Sequence, residues 1–75
     1  NWARAQSNLG NVLHKLGRAD ESYASLRAIQ SDASADDETR RDAYILEASL
    51  RAEDKNDTGE SDAFARGLAA FPDEP

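Results

Sequence analysis

The sequence of 75 residues predicts an all-α fold of two consecutive antiparallel helical hairpins, four helices in one small domain. Three observations predict it. Apolar residues recur at steps of three and four in four separate stretches, the spacing of one face of a helix. No stretch alternates apolar and polar with the period of two that a half-buried strand needs. The four stretches are divided by short segments of turn-forming residues, and short connections place neighbouring helices antiparallel.

The first helix carries Trp2, Ala5, Leu9, Leu13 and Leu16 on its apolar face, and Gly17 follows as a helix C-cap. Gly10 lies within this helix. Glycine there costs about 1 kcal/mol against alanine, so Gly10 is expected to mark a close contact with a second helix. The second helix repeats the spacing with Ala19, Tyr23, Leu26 and Ile29, and Asp20 and Glu21 stand where a helix N-terminus favours negative charge. Residues 31–38, "SDASADDE", read as a loop with Ser34 or Asp36 as N-cap of the third helix. That helix holds Ala43, Leu46 and Leu50, with Tyr44, Ile45 and Ala48 beside them. It fades at "EDKNDTG", where Asn56, Asp57 and Gly59 are turn formers. Thr58 is expected to cap a fourth helix with Glu60 and Asp62 in its first turn and an apolar face of Phe64, Gly67, Leu68 and Phe71. Pro72 ends it, because the residue before a proline is pushed out of the helical region.

Fifteen acids against nine bases give a net charge of −6. This disfavours nucleic acid, whose binders present a basic footprint, and anionic membrane surfaces. No run approaches the ~18 apolar residues of a membrane span. There is no cysteine, hence neither a disulfide framework nor a thiolate metal site. Seven of the nine bases are Arg and alanine is abundant, a composition expected of GC-rich bacterial coding. The chain begins with Asn, which suggests a piece of something longer.

Two successive hairpins invite a test for an internal repeat. The string "NLGNVLHKLG" with Gln6, Leu9-Gly10, Leu13, Ser22-x3-Leu26 and Ser34 resembles the tetratricopeptide repeat, whose pattern is W-x2-L-G-x2-Y, then A-x3-F, then P. Gln6 replaces the aromatic, Ser22 the alanine and Ser34 the proline. The resemblance implies repeat one at about 3–36 and a degenerate repeat two at about 37–73, ending in "FARGLAAFPDEP". Leu9 and Leu13 map to Leu46 and Leu50 at a shift of 37, whereas Leu26 and Ser34 map to Phe64 and Pro72 at 38. The turn near Gly59 is therefore expected to gain one residue. A shift of 37 aligns Gly10 with Glu47, which conflicts with the small-residue requirement. A uniform 38 offers Ala48 instead, but puts Glu47 and Arg51 at apolar positions.

In the family the resemblance names, the first helix of each repeat lines a concave ligand-facing side. Here Arg4, Ser7, Asn11 and His14 share one face, and at a shift of 37 their counterparts are Arg41, Tyr44, Ala48 and Arg51. With three Arg, one His and no carboxylate, this face suits an acidic peptide or a terminal carboxylate, which Arg binds bidentately. Some members clamp a peptide C-terminus with Lys and Asn; Asn11 matches one such position, but Ser7 stands where a Lys is needed, so no clamp is expected. The resemblance thus implies binding of a partner protein or peptide through the first and third helices. The alternative is a structural spacer or an oligomerisation element that self-associates through edges around Trp2 and Phe71.

Other chemistry finds little support. The loop Asp54–Ala65 partly matches a calcium-binding loop at Asp54, Asn56, Thr58, Gly59 and Asp62, but its twelfth position, which requires a bidentate Glu, is Ala65. A plain turn and helix cap explains the same residues, and also the glycosylation-like triplet Asn56–Thr58. His14 is the sole histidine, no serine sits in a nucleophile elbow, and no metal-ligand spacing occurs, so neither enzyme activity nor a cofactor is expected.

Overall fold

The computed structural model describes residues 2–72. Four helices make up the fold: α1 (Trp2–Lys15), α2 (Ala19–Gln30), α3 (Asp37–Glu53) and α4 (Asp57–Ala70), with no strand among the described residues. Each helix packs on the next in sequence, and α1 also touches α3. The Cα atoms span 34 × 30 × 15 Å. In a slab this thin every helix keeps a solvent face.

Both hairpin turns are built the same way. At the end of α1 the Gly17 N–H donates to the His14 carbonyl (3.1 Å) and the Arg18 N–H to that of Leu13 (2.9 Å). At the end of α3 the Lys55 N–H donates to the Ala52 carbonyl (3.0 Å) and the Asn56 N–H to that of Arg51 (2.9 Å). Each pair is a Schellman motif, which satisfies the carbonyls a helix end leaves open and needs a left-handed residue after the last turn. Gly17 takes that place at φ 80° and Lys55 at φ 59°. The second turn is therefore not centred on Gly59. Gly59 lies inside α4, where a Cβ would fall 2.8 Å from Arg51 Cδ.

The caps follow from these turns. Asp36, the second of the two candidates, caps α3 by accepting from the Thr39 N–H at 2.8 Å. Thr58 does not cap α4. Asn56 does, accepting from the Gly59 N–H at 2.9 Å, because the Schellman turn delivers Asn56 directly to the helix start. At the far end Phe71 leaves the helix with φ −133°, the departure that Pro72 imposes.

Helix ends Lys15 and Glu53, left-handed residues Gly17 and Lys55, and helix starts Ala19 and Asp57 are each 38 residues apart. The second turn gains no residue, so 38 and not 37 aligns α3 with α1. Gly10 then corresponds to Ala48, and both are buried. Glu47 and Arg51, whose charge argued against this alignment, do lie inward.

Gly10 is a contact between helices. A Cβ there would sit 3.3 Å from Leu26 Cδ2, and the Ser22 hydroxyl donates to the Gly10 carbonyl at 2.7 Å. Leu26 joins Ala3, Tyr23, Ile29, Ala43 and Leu50 in the core. The expected apolar face of α1 is, however, rotated. Ala3, Gly10 and Leu13 are buried, while Trp2, Ala5, Leu9, Val12 and Leu16 are exposed. Close approach to α2 buries the small residues Ala3 and Gly10 together with Leu13, and leaves Trp2, Leu9, Val12 and Leu16 outside.

Candidate functional site

The seven residues expected to share one open face fall into three places. Arg4, Ser7 and Asn11 lie along the polar edge of α1, exposed or half-buried. His14 and Arg51 turn inward. His14 Nε2 lies 2.9 Å from Asp54 Oδ1, and the Arg51 guanidinium stacks 3.8 Å from the centre of the Tyr23 ring. Arg41 and Tyr44 belong to the junction of α3 with α4. The α3 stripe Arg41, Tyr44, Ala48, Arg51 therefore packs toward α4 instead of extending the face of α1: a Cβ on Gly67 would meet Tyr44 Cβ at 3.2 Å, and Arg51 covers Gly59. At the 38-residue alignment the counterparts of Arg4, Ser7 and Asn11 are Asp42, Ile45 and Ser49, all exposed. That surface mixes charges and carries a carboxylate.

The inward Arg and His belong to a polar network that spacing did not reveal. Glu47 is fully buried. Its Oε1 accepts from Gln30 Nε2 at 2.9 Å. Its Oε2 accepts from Arg51 at 3.1 and 3.2 Å and from Arg66 at 2.8 Å, with Arg27 at 3.5 Å. Burial pushes the Glu47 carboxyl up, but the hydrogen bonds from Gln30, Arg66 and Arg51 outweigh it and hold it below the usual carboxylate range. Asp54 forms a second node. It accepts from the Tyr23 hydroxyl and faces His14, and the Tyr23 hydrogen bond, opposed by burial, lowers its carboxyl too. Burial and the bond to Asp54 push the Tyr23 phenol well above its ordinary value. Every buried side-chain polar atom among the described residues has a partner. The sequence did hold a signal for this network. Glu47 stands four residues after Ala43, three before Leu50 and four before Arg51, an acid inside an apolar stripe beside a cation one turn away.

In the loop with partial calcium-loop spacing, the Asp54 and Asn56 side chains are committed elsewhere. Asp54 serves Tyr23 and His14, and Asn56 caps α4. No group of three or more metal-ligating side chains occurs among the described residues, and no helix is long and apolar enough to cross a membrane.

An apolar pocket of about 190 Å³ lies between α3 and α4. Arg41, Tyr44 and Ile45 form one wall, Phe64, Gly67 and Leu68 the other, and Phe71 closes it. Its floor is closely packed for a local reason. Gly67 has no side chain, so Tyr44 rests on the backbone of α4, and Tyr44 in turn meets Phe71 edge-on at 6.3 Å. Arg41 and Arg40 lie over the Phe71 ring at 5.9 and 5.3 Å. Ile45, Phe64 and Leu68 remain about half exposed around the mouth. The fold thus presents an apolar cleft with a cationic rim on the outer side of its second hairpin. No family model, no curated protein and no solved structure matches this chain.

Proposed function

We propose that this chain is a protein-interaction module made of two tetratricopeptide-like hairpins of 38 residues. It binds an apolar helical segment of a protein partner in the α3–α4 pocket. The observation that carries this reading is the ring of large apolar side chains, Ile45, Phe64 and Leu68, left in solvent around a cleft. A chain this short gains by burying such residues, and large exposed apolar patches mark interaction sites. A cleft of about 190 Å³ suits one or two anchoring side chains of a helix docked by its i and i+3 or i+4 residues.

Selection from a displayed library of helical peptides tests this reading. Enriched peptides should carry apolar residues three or four apart. They should lose at least tenfold in affinity against Phe64→Asp. Enrichment that ignores Phe64 would reject the pocket. A second reading, an assembly element, is favoured by a separate observation, the exposed apolar stripe of α1.

A further inference from the structure

Two helices leave apolar faces in solvent, and they lie at opposite ends of the chain. On α1 the face comprises Trp2, Ala5, Leu9 and Val12; on α4 it comprises Phe64 and Leu68. The internal junction between α2 and α3 shows what such faces pack against. There Leu26 shares the core with Ala43 and Leu50, and Gln30 donates to the Ala43 carbonyl (3.3 Å) and to Glu47 (2.9 Å). An advance of 38 residues turns Leu26 and Gln30 of α2 into Phe64 and Leu68 of α4. A step back of 38 turns Ala43, Glu47 and Leu50 of α3 into Ala5, Leu9 and Val12 of α1. Each half of the junction therefore occurs twice, once joined inside the chain and once open at an end.

The two open halves have also changed character together. Gln30 and Glu47 form a buried polar pair inside the chain. Leu68 and Leu9 stand in their places, both apolar, at 60% and 44% exposure. Arg27, which faces Glu47, is replaced by Ala65. A polar residue left on either open face would lack its partner across the contact; here neither face keeps one at the matching positions. Charge agrees. α1 carries Arg4 and Lys15 and no acid, whereas α4 carries Asp57, Glu60 and Asp62 against one Arg66. Symmetric pairing of two α1 helices would bring like charges together, so α4 is the better mate.

We infer that α4 of one copy docks on α1 of a second copy, reproducing between molecules the junction that α2 and α3 make within one. This rests on reading the α3–α4 edge as an interaction surface, and names its occupant as a second copy. Such a contact is heterologous: each copy still offers one free face, so association continues beyond the dimer.

Sedimentation velocity on the wild-type chain and on two exposed-face variants, Leu9→Asp and Leu68→Asp, tests it. The wild-type mass should rise with concentration without stopping at the dimer. Each variant alone should remain a monomer, because one face of every contact is spoiled. Their equimolar mixture should form a dimer and nothing larger, through the intact α4 of Leu9→Asp and the intact α1 of Leu68→Asp. Circular dichroism checks that both keep their helices, and Val12→Asp and Phe64→Asp replace either that does not. A wild-type chain monomeric at millimolar concentration, a variant that still self-associates, or a mixture that stays monomeric would each overturn the inference. Peptides still captured through Phe64 alongside a monomeric chain would leave the pocket standing and remove the second copy as its occupant.

Discussion

Gly10 and Glu47 are two residues whose neighbours fix what each can become. At Gly10 a Cβ meets fully buried Leu26 at 3.3 Å, tight but within reach of a small shift. Alanine regains about 1 kcal/mol of helix propensity, so Gly10→Ala should lie within about 1 kcal/mol of wild type in urea denaturation. Gly10→Leu forces the helices apart, and overpacking of this kind costs about 1–3 kcal/mol or more. A stable Gly10→Leu would mean that α1 and α2 do not cross there. Glu47 is the anchor for three arginines and Gln30. Glu47→Ala leaves those donors facing one another without their acceptor, a loss of about 3–5 kcal/mol. The pH dependence has a definite sign. Glu47 and Asp54 titrate below their ordinary values in the folded chain, so the unfolded chain binds more protons in acid. Their contribution is complete above the ordinary carboxylate pKa of about 4 and is lost as pH falls through the folded values. The urea midpoint should drop in that window, and Glu47→Gln should flatten the drop.

Among the elements, the hairpin turns carry the clearest comparison. Both are Schellman turns, but one places glycine and the other lysine in the left-handed region. An L-residue there gives up about 1 kcal/mol or more, so Lys55→Gly should raise stability by about 1 kcal/mol. Gly17→Ala should lower it by about the same amount, although the space beside Gly17 is empty. Paired thermal melts of the two variants check both signs. These turns also show what could be read in advance. Helix boundaries, Gly17 and the Pro72 stop follow from local chemistry, and local chemistry is what a sequence displays. Lys55 was invisible because its φ is imposed by the helices it joins. The buried side of α1 was misplaced for a related reason. Its Leu9, Val12 and Leu16 stripe sits next to the stripe of Ala3, Gly10 and Leu13, and only the presence of α2 decides that the second one is covered. The same rotation on α3 turned Arg51 inward and set Arg41 and Tyr44 beside α4, leaving only Arg4, Ser7 and Asn11 on the edge that spacing had drawn.

At the scale of the whole molecule, a slab 15 Å thick with helices in chain order has two ends, and among the described residues α1 and α4 each keep an exposed apolar face there. Stacked helical arrays depend on neighbour-to-neighbour burial, and about three units are usual for stability. Two hairpins supply one internal junction and the two halves of another. Trp2 reports on that second junction because it is the single tryptophan and lies on the α1 face at 49% exposure. Its emission can be isolated by mixing Leu68→Asp, which keeps the α1 face, with a Leu9→Asp chain that also carries Trp2→Phe and is therefore silent. We expect the emission of Leu68→Asp to shift to the blue and saturate at one equivalent of the silent partner, as α4 covers the indole. An emission maximum that stays put through a large excess would contradict docking of α4 on α1.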